Sequence, residues 1–217
     1  MNDNYPYQQI VAVLEKIYSQ DGIVNLINLS GGIVPYLISN TDSGRNHGDI
    51  DFIVKKDNML LIRQMLQENN LYNIELDSLN IQRDDNEDYG VDTVIYGVPV
   101  GFYPYSIENN TIVQRSFTPQ YMFGKTELKT RILPGISEKD YITRYQLENG
   151  TCINISSLEI IMASKEKAGR EKDLSDIKRI NQIGFNNEKY QRAKNSIDNS
   201  QFTIVEQGRN PGSKNMI

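Results

Sequence analysis

Apolar positions along the chain follow two periods, one near 3.6 residues and one of two, and the switches between them mark out the elements. Ile10, Val11, Leu14, Ile17 and Tyr18 recur at helical spacing within residues 5–20, which predicts an amphipathic helix packed on a sheet. An apolar run from Ile23 to Leu29 predicts a first strand, and a short helix follows from about Gly32 to Ser39. Pro35 is tolerated there because the first helical turn does not need its N–H. A polar, turn-rich loop covers Asn40–Gly48 and gives way to a second apolar strand running to Val54. Residues 57–70 return to helical spacing, with Met59, Leu61, Ile62, Met65 and Leu66 as the buried face.

From Tyr72 to Phe117 the period becomes two, and YNIEL, LNIQR, VDTVIY, VPVGFYPY and TIVQRSF all read as strands. The acidic stretch Arg83–Asp88, RDDNED, lacks the ligand spacing and central glycine of a calcium loop and reads as a solvated hairpin turn. Residues 141–155 predict a hairpin about Asn149-Gly150. Ser156 or Ser157 then caps a helix carrying Leu158, Ile160, Ile161 and Met162 and ending near Gly169. Two more helices are predicted over Lys172–Ile183 and Asn187–Ile197, and the tail from Gln201 lacks periodicity and reads as loose.

Composition narrows the class. At 217 residues and 38% apolar content the chain can hold one large domain or a compact domain with a helical annex. No apolar run approaches the roughly 20 residues of a membrane span, and the polar start MNDNYPYQQ is unlike a signal peptide. Both points favour the cytoplasm and no membrane partner. Cys152 is the single cysteine, which excludes an internal disulfide and a cysteine-rich zinc site. The formal net charge of −5 disfavours a long nucleic-acid surface, since the basic residues cluster only within 163–179. A small cationic or neutral partner suits that balance better. His47 is the single histidine, which removes any histidine metal cluster or triad; it stands just before the carboxylates and could equally be a loop-packing residue.

The chemistry concentrates between Leu29 and Val54. Ser30, Gly31 and Gly32 form a turn between a strand and a helix, where backbone N–H groups can meet a phosphate. Asp49 and Asp51 are two apart on the next strand, so both carboxylates point to one face. Like charges that close repel, and Mg²⁺ relieves this by taking one or two carboxylates and completing its shell with phosphate oxygens. Arg45 stands just before them, placed to reach a nucleotide phosphate or to pair with Asp49.

Strand, Gly-Gly turn, helix, polar loop and Asp-x-Asp strand, in that order, resemble the nucleotidyltransferase superfamily of polymerase beta, in particular its small antibiotic-modifying members and the related abortive-infection toxins. A second stretch, CINISSLEIIMASKEKAGREKDLSDIKRI, is similar to the helical part of these proteins through Glu159, Lys165, Arg170, Lys172, Asp173 and Asp176. The resemblance implies an α/β (α+β) fold: a mixed sheet flanked by helices over residues 1–155, a C-terminal helical part over 156–200 and a tail over 201–217. It also implies Mg²⁺-dependent transfer of a nucleoside monophosphate from a nucleoside triphosphate to a hydroxyl. The acceptor would be an antibiotic-like small molecule or, as in the toxin relatives, a tRNA end or a protein side chain. Asp49 and Asp51 would hold metal, while Ser30, Gly31, Gly32, Arg45 and Lys165 would bind the nucleotide, with Lys172 also near the triphosphate. Asp173 and Asp176 read as structural. A homodimer, whose two subunits build the acceptor cleft in many such enzymes, stays open.

The family normally carries a third acid on a neighbouring strand, and the matching position is Gly101. If Gly97-Val98 were the hairpin turn, Asp92 would stand opposite Tyr103, on the same face as position 101 but roughly 7–8 Å away diagonally. Asp92 is therefore the candidate replacement. The alternatives are a degenerate fold kept as a binding module, or a hydrolase using the same aspartate pair without an acceptor.

Overall fold

Strand β2 (Ile50–Lys55) lies at the centre of the computed structural model, which describes residues 5–81, 83, 85–119 and 126–207. The other strands are β1 (Ile27–Ser30), β3 (Val91–Ile95), β4 (Val98–Glu108), β5 (Thr111–Thr118), β6 (Thr126–Pro134), β7 (Ile142–Gln146), β8 (Cys152–Ser156) and β9 (Gln201–Gln207). They form one mixed sheet in the order β7-β8-β1-β2-β4-β5-β6-β9, with β3 also paired to β4. β1 runs antiparallel to β2, and β2 runs parallel to β4. β4 is long enough to pair with β3 along its first half and with β5 along its second.

Helices cover both faces. On one, α1 (Tyr7–Tyr18) and α3 (Met59–Glu68) bury Ile10, Leu14, Ile62 and Leu66 against Leu29, Phe52, Val54 and Phe102. The Phe52 and Phe102 rings stack there at 5.3 Å. The opposite face receives the C-terminal helices. The short helices α2 (Val34–Ile38) and α4 (Glu138–Tyr141) precede α5 (Leu158–Ala168), α6 (Glu171–Ile183) and α7 (Asn187–Asp198). Ile53, Tyr105, Ile112 and Leu133 of the sheet meet Ile160, Ala163, Ala193 and Ile197 of α5 and α7. Even-numbered β2 residues thus feed the first core and odd-numbered ones the second, and Asp51 lies on the same face as Ile53.

Several expected elements differ. The predicted strand Ile23–Leu29 opens as a 3-10 turn, Ile23–Asn25, entered through Gly22 at φ +75°, and only Ile27–Ser30 is extended. YNIEL and LNIQR are not strands. Asn73 and Asp77 accept hydrogen bonds from the Glu75 and Leu79 backbone N–H groups and turn the chain into 3-10 segments, a local competition that Asn and Asp commonly win. The acidic stretch is not simply solvated: Asp88 is tied to Arg63, and Arg83 stacks over the Tyr89 ring at 5.0 Å. Asp84 lies outside the described residues. Residues 201–207 of the expected loose tail form β9, paired antiparallel with β6, while residues from 208 onward lie outside the described part.

The segment that delivers the chain into β3 hangs on one buried side chain. The Arg63 guanidinium on α3 donates to both carboxylate oxygens of Asp77 (2.7 and 2.8 Å) and of Asp88 (2.7 and 2.9 Å). Burial alone would raise the Asp88 carboxyl, yet the bonds and charge of Arg63 hold it below the ordinary range. Replacing Arg63 by Met leaves two carboxylates without their cation. The expected loss of stability is about 3–5 kcal/mol, read as a lower urea midpoint at pH 7.

Candidate active site

One row of residues crosses the sheet on the face beneath the C-terminal helices. Ser30 of β1 pairs with Asp51 of β2, Asp51 pairs with Gly101 of β4, and Gly101 pairs with Asp92 of β3. Partners in register share a face, so these four positions project together. Ser156 extends the row from β8, its hydroxyl donating to the Ser30 hydroxyl at 3.0 Å.

The register of β3 corrects the expected one. The hairpin turn is Tyr96-Gly97, not Gly97-Val98, with φ +51° and +82° at the two positions, as a type I′ turn requires. Asp92 therefore stands directly opposite Gly101 and not opposite Tyr103. The position expected to carry an acid on β4 thus has an acid as its partner on β3, in the same row. Tyr103 occupies the room between them. A Cβ at position 101 would overlap the Tyr103 ring and hydroxyl, so only glycine fits under that ring. The Tyr103 hydroxyl acts on Asp92 to favour its charged form, and Asp92 Oδ1 is buried and has no partner.

Electrostatics in this row are unfavourable as they stand. Burial, followed by the charges of Asp49 and Asp92, pushes the Asp51 carboxyl well above the usual carboxylate range. Burial also raises Asp92, to about 7, with the Tyr103 hydroxyl opposing and the Asp49 charge adding. Crowded carboxylates with raised pKa and one orphaned buried oxygen are a donor set that fits a divalent cation. Among the described residues, no three His, Cys, Asp or Glu side chains converge as a ready-made metal cage. Asp49 and Asp51 would accordingly hold a cation together with ligand oxygens, as Mg²⁺ is usually bound.

The glycine turn meets this row closely. Gly31 has φ +81°, and a Cβ there would lie 3.9 Å from Asp51 Oδ2. Gly32 has no space for a side chain, because a Cβ would come within 2.5 Å of Arg45 Nη2 and 2.8 Å of Asp176 Oδ2. Arg45 donates to both oxygens of Asp176 (2.9 and 3.0 Å), a partner far along the chain that its place before Asp49 does not reveal. Asp176 also holds Lys165 Nζ at 2.6 Å, and Asp173 holds Lys165 at 3.1 Å and Arg170 at 2.7 Å. Burial works against the Asp173 charge, yet Arg170 and Lys165 bring its pKa down to about 2. The two α6 aspartates thus order three cations around the turn. Lys172 is exposed and outside this cluster. His47 packs in the loop, bonded to the Ser43 hydroxyl at 2.9 Å, and burial with the Arg45 charge lowers its pKa to about 4.

A cavity of about 190 Å³ opens beside Ser30 and Gly31, lined by Lys165 of α5 and Arg170 and by Gln114 of β5 and Arg131 of β6. Neither Gln114 nor Arg131 stood out in the sequence. They pair across β5 and β6, more than eighty residues beyond the turn they face, and no local motif marks them.

No protein-family model and no curated protein matches this sequence. The fold does match a solved one. The antibiotic-resistance factor ANT(2'')-Ia superposes with a TM-score of 0.54 at 13% sequence identity, covering 88% of this chain and 92% of that one. The two chains share a fold. The mixed sheet flanked by helices expected from the resemblance is thereby observed.

Two outcomes follow from the geometry of the row. Gly101→Ala should cost about 1–3 kcal/mol through overpacking against Tyr103, and most of that cost should vanish in a Tyr103→Ala background, as a double-mutant cycle would read it. Asp92 is protonated up to about pH 7 when folded but only to about 3.9 when unfolded. The folded state therefore holds the extra proton between these values, and stability falls as pH rises through that window. In Mg²⁺-free buffer, Asp92→Asn should raise unfolding stability by on the order of 2–4 kcal/mol at pH 8 and leave it nearly unchanged below about pH 4.

Proposed function

We propose that the protein is a Mg²⁺-dependent nucleotidyltransferase that moves a nucleoside monophosphate from a nucleoside triphosphate to a hydroxyl of a small-molecule acceptor. The observation that carries this reading is the register that sets Asp92 opposite Gly101, beside Asp51 and the Ser30–Gly32 turn. It puts Asp92 in one row with Asp51 although the expected third position is glycine.

Ser30 and the backbone of Gly31 and Gly32 hold the triphosphate, with Arg45 and Lys165 adding positive charge. Asp49 and Asp51 hold the metal. Bound Mg²⁺ supplies charge stabilisation at the attacking and leaving oxygens. Asp92, with its proton affinity set near neutrality, accepts the proton of the acceptor hydroxyl as that oxygen bonds to the α-phosphorus. The bond from the α-phosphorus to the bridging oxygen breaks and pyrophosphate leaves. The net charge of −5 suits a cationic or neutral acceptor, and the similarity in fold to an antibiotic-resistance factor supports a small molecule.

A second reading, a nucleotidyltransferase-like binding module without turnover, draws on one observation: the Tyr103 ring stands between Asp92 and the position of the usual acid. Incubating the protein with each nucleoside triphosphate, Mg²⁺ and an aminoglycoside and lincosamide panel, and following pyrophosphate release, separates the two. Transfer should fall to background in Asp49→Ala and Asp51→Ala, and roughly 10²–10⁴-fold in Asp92→Asn. Metal-dependent nucleotide binding with no pyrophosphate release from any acceptor favours the module.

A further inference from the structure

The cavity beside the turn is built for more negative charge than the chain places in it. Arg45, Lys165 and Arg170 share two carboxylates, Asp173 and Asp176. Arg131 lines the same cavity, and no carboxylate among the described residues pairs with it; the charged or polar neighbour that perturbs it is the Tyr141 phenol. It is a partly buried guanidinium, and burial lowers its pKa, the mark of a cation lacking compensation. Beside it on β5, Gln114 accepts a hydrogen bond from the Tyr141 hydroxyl at 3.2 Å. The Gln114 amide N–H groups can then donate into the cavity.

We propose that Arg131 and Gln114 form a polyphosphate-recognition pair, gripping the pyrophosphate portion of the nucleoside triphosphate in the cavity that Lys165 also lines. The inference rests on the nucleotidyltransferase reading and adds to it two residues outside the glycine turn and the helical part. Three features select this ligand. A guanidinium fork matches phosphate oxygens bidentately, and a neighbouring amide N–H extends the match to a second oxygen. The volume of about 190 Å³ lies below the roughly 300 Å³ where sites for whole drug-sized ligands begin, so the cavity takes a phosphate-sized part of a nucleotide. Its position against Ser30 and Gly31 puts it next to the turn that faces Asp51.

The test is calorimetric titration of inorganic pyrophosphate into the full chain without Mg²⁺, for the wild type, Arg131→Gln, Arg131→Lys and Gln114→Leu. Arg131→Gln should raise the Kd about 10- to 100-fold, the range set by hydrogen bonds to charged groups. Arg131→Lys should recover part of that loss, and Gln114→Leu should weaken binding by a smaller factor. Thermal melting of each variant checks the fold, and Gln114→Leu carries the test if Arg131→Gln does not fold. Wild-type affinity in Arg131→Gln and Gln114→Leu overturns the proposal, as does a wild-type protein that binds no pyrophosphate. Failure of the enzymatic reading looks different: pyrophosphate binding that depends on Arg131, in a protein that transfers nucleotide to no acceptor, leaves the anion site standing and removes the reaction.

Discussion

Bringing carboxylates together on one face of a sheet is costly, and much of this protein is arranged around that cost. Asp49, Asp51 and Asp92 influence one another strongly enough that burial and mutual repulsion push two of them toward the protonated form. A chain selected for stability alone would replace them. Their backbones are instead fixed by sheet register, where a shift of a single residue would turn the side chains to the opposite, apolar face. The stacked Phe52 and Phe102 rings lie on that other face and hold β2 and β4 in place. The apolar core thus maintains a polar arrangement that is unfavourable by itself.

Positive charge is handled in the opposite way. Lys165 and Arg170 belong to the C-terminal helices and Arg45 to the loop before β2, and the buried carboxylates of α6 draw all three toward Gly32. Such a network fixes geometry more than it adds stability, since desolvation offsets much of the Coulomb gain. Its effect is to couple the loop that precedes the aspartates to helices more than a hundred residues later. The absence of a side chain at Gly32 is a condition for it.

How much of this was legible in the sequence depended on the range of the interaction that fixes each part. Helical spacing located α1, α3 and α5, and the Ser157 cap and the Asn149-Gly150 hairpin were visible because each is set within a few residues. The Ser30–Gly32 turn and the Asp49/Asp51 pair were likewise local. Asx caps at Asn73 and Asp77 overrode an alternation that reads as strands. The β3–β4 register depended on which of two residues accepts positive φ, and Tyr96 does so although nothing in its type announces it. β9 was missed because its partner β6 is some seventy residues away and its side chains at Phe202 and Ile204 remain exposed. Arg131 and Gln114 were invisible for a similar reason: only the packing of β5 and β6 against α5 brings them to the turn.

The fit of Tyr103 over Gly101 also bears on how such a site can change over time. Placing an acid at position 101 is a single substitution on paper, but the ring and hydroxyl of Tyr103 fill the volume that the new side chain would need. A larger residue at 101 therefore requires a smaller one at 103, and the two positions can change only together. Sterics at this one contact fix which strand of the hairpin can carry a carboxylate in this row.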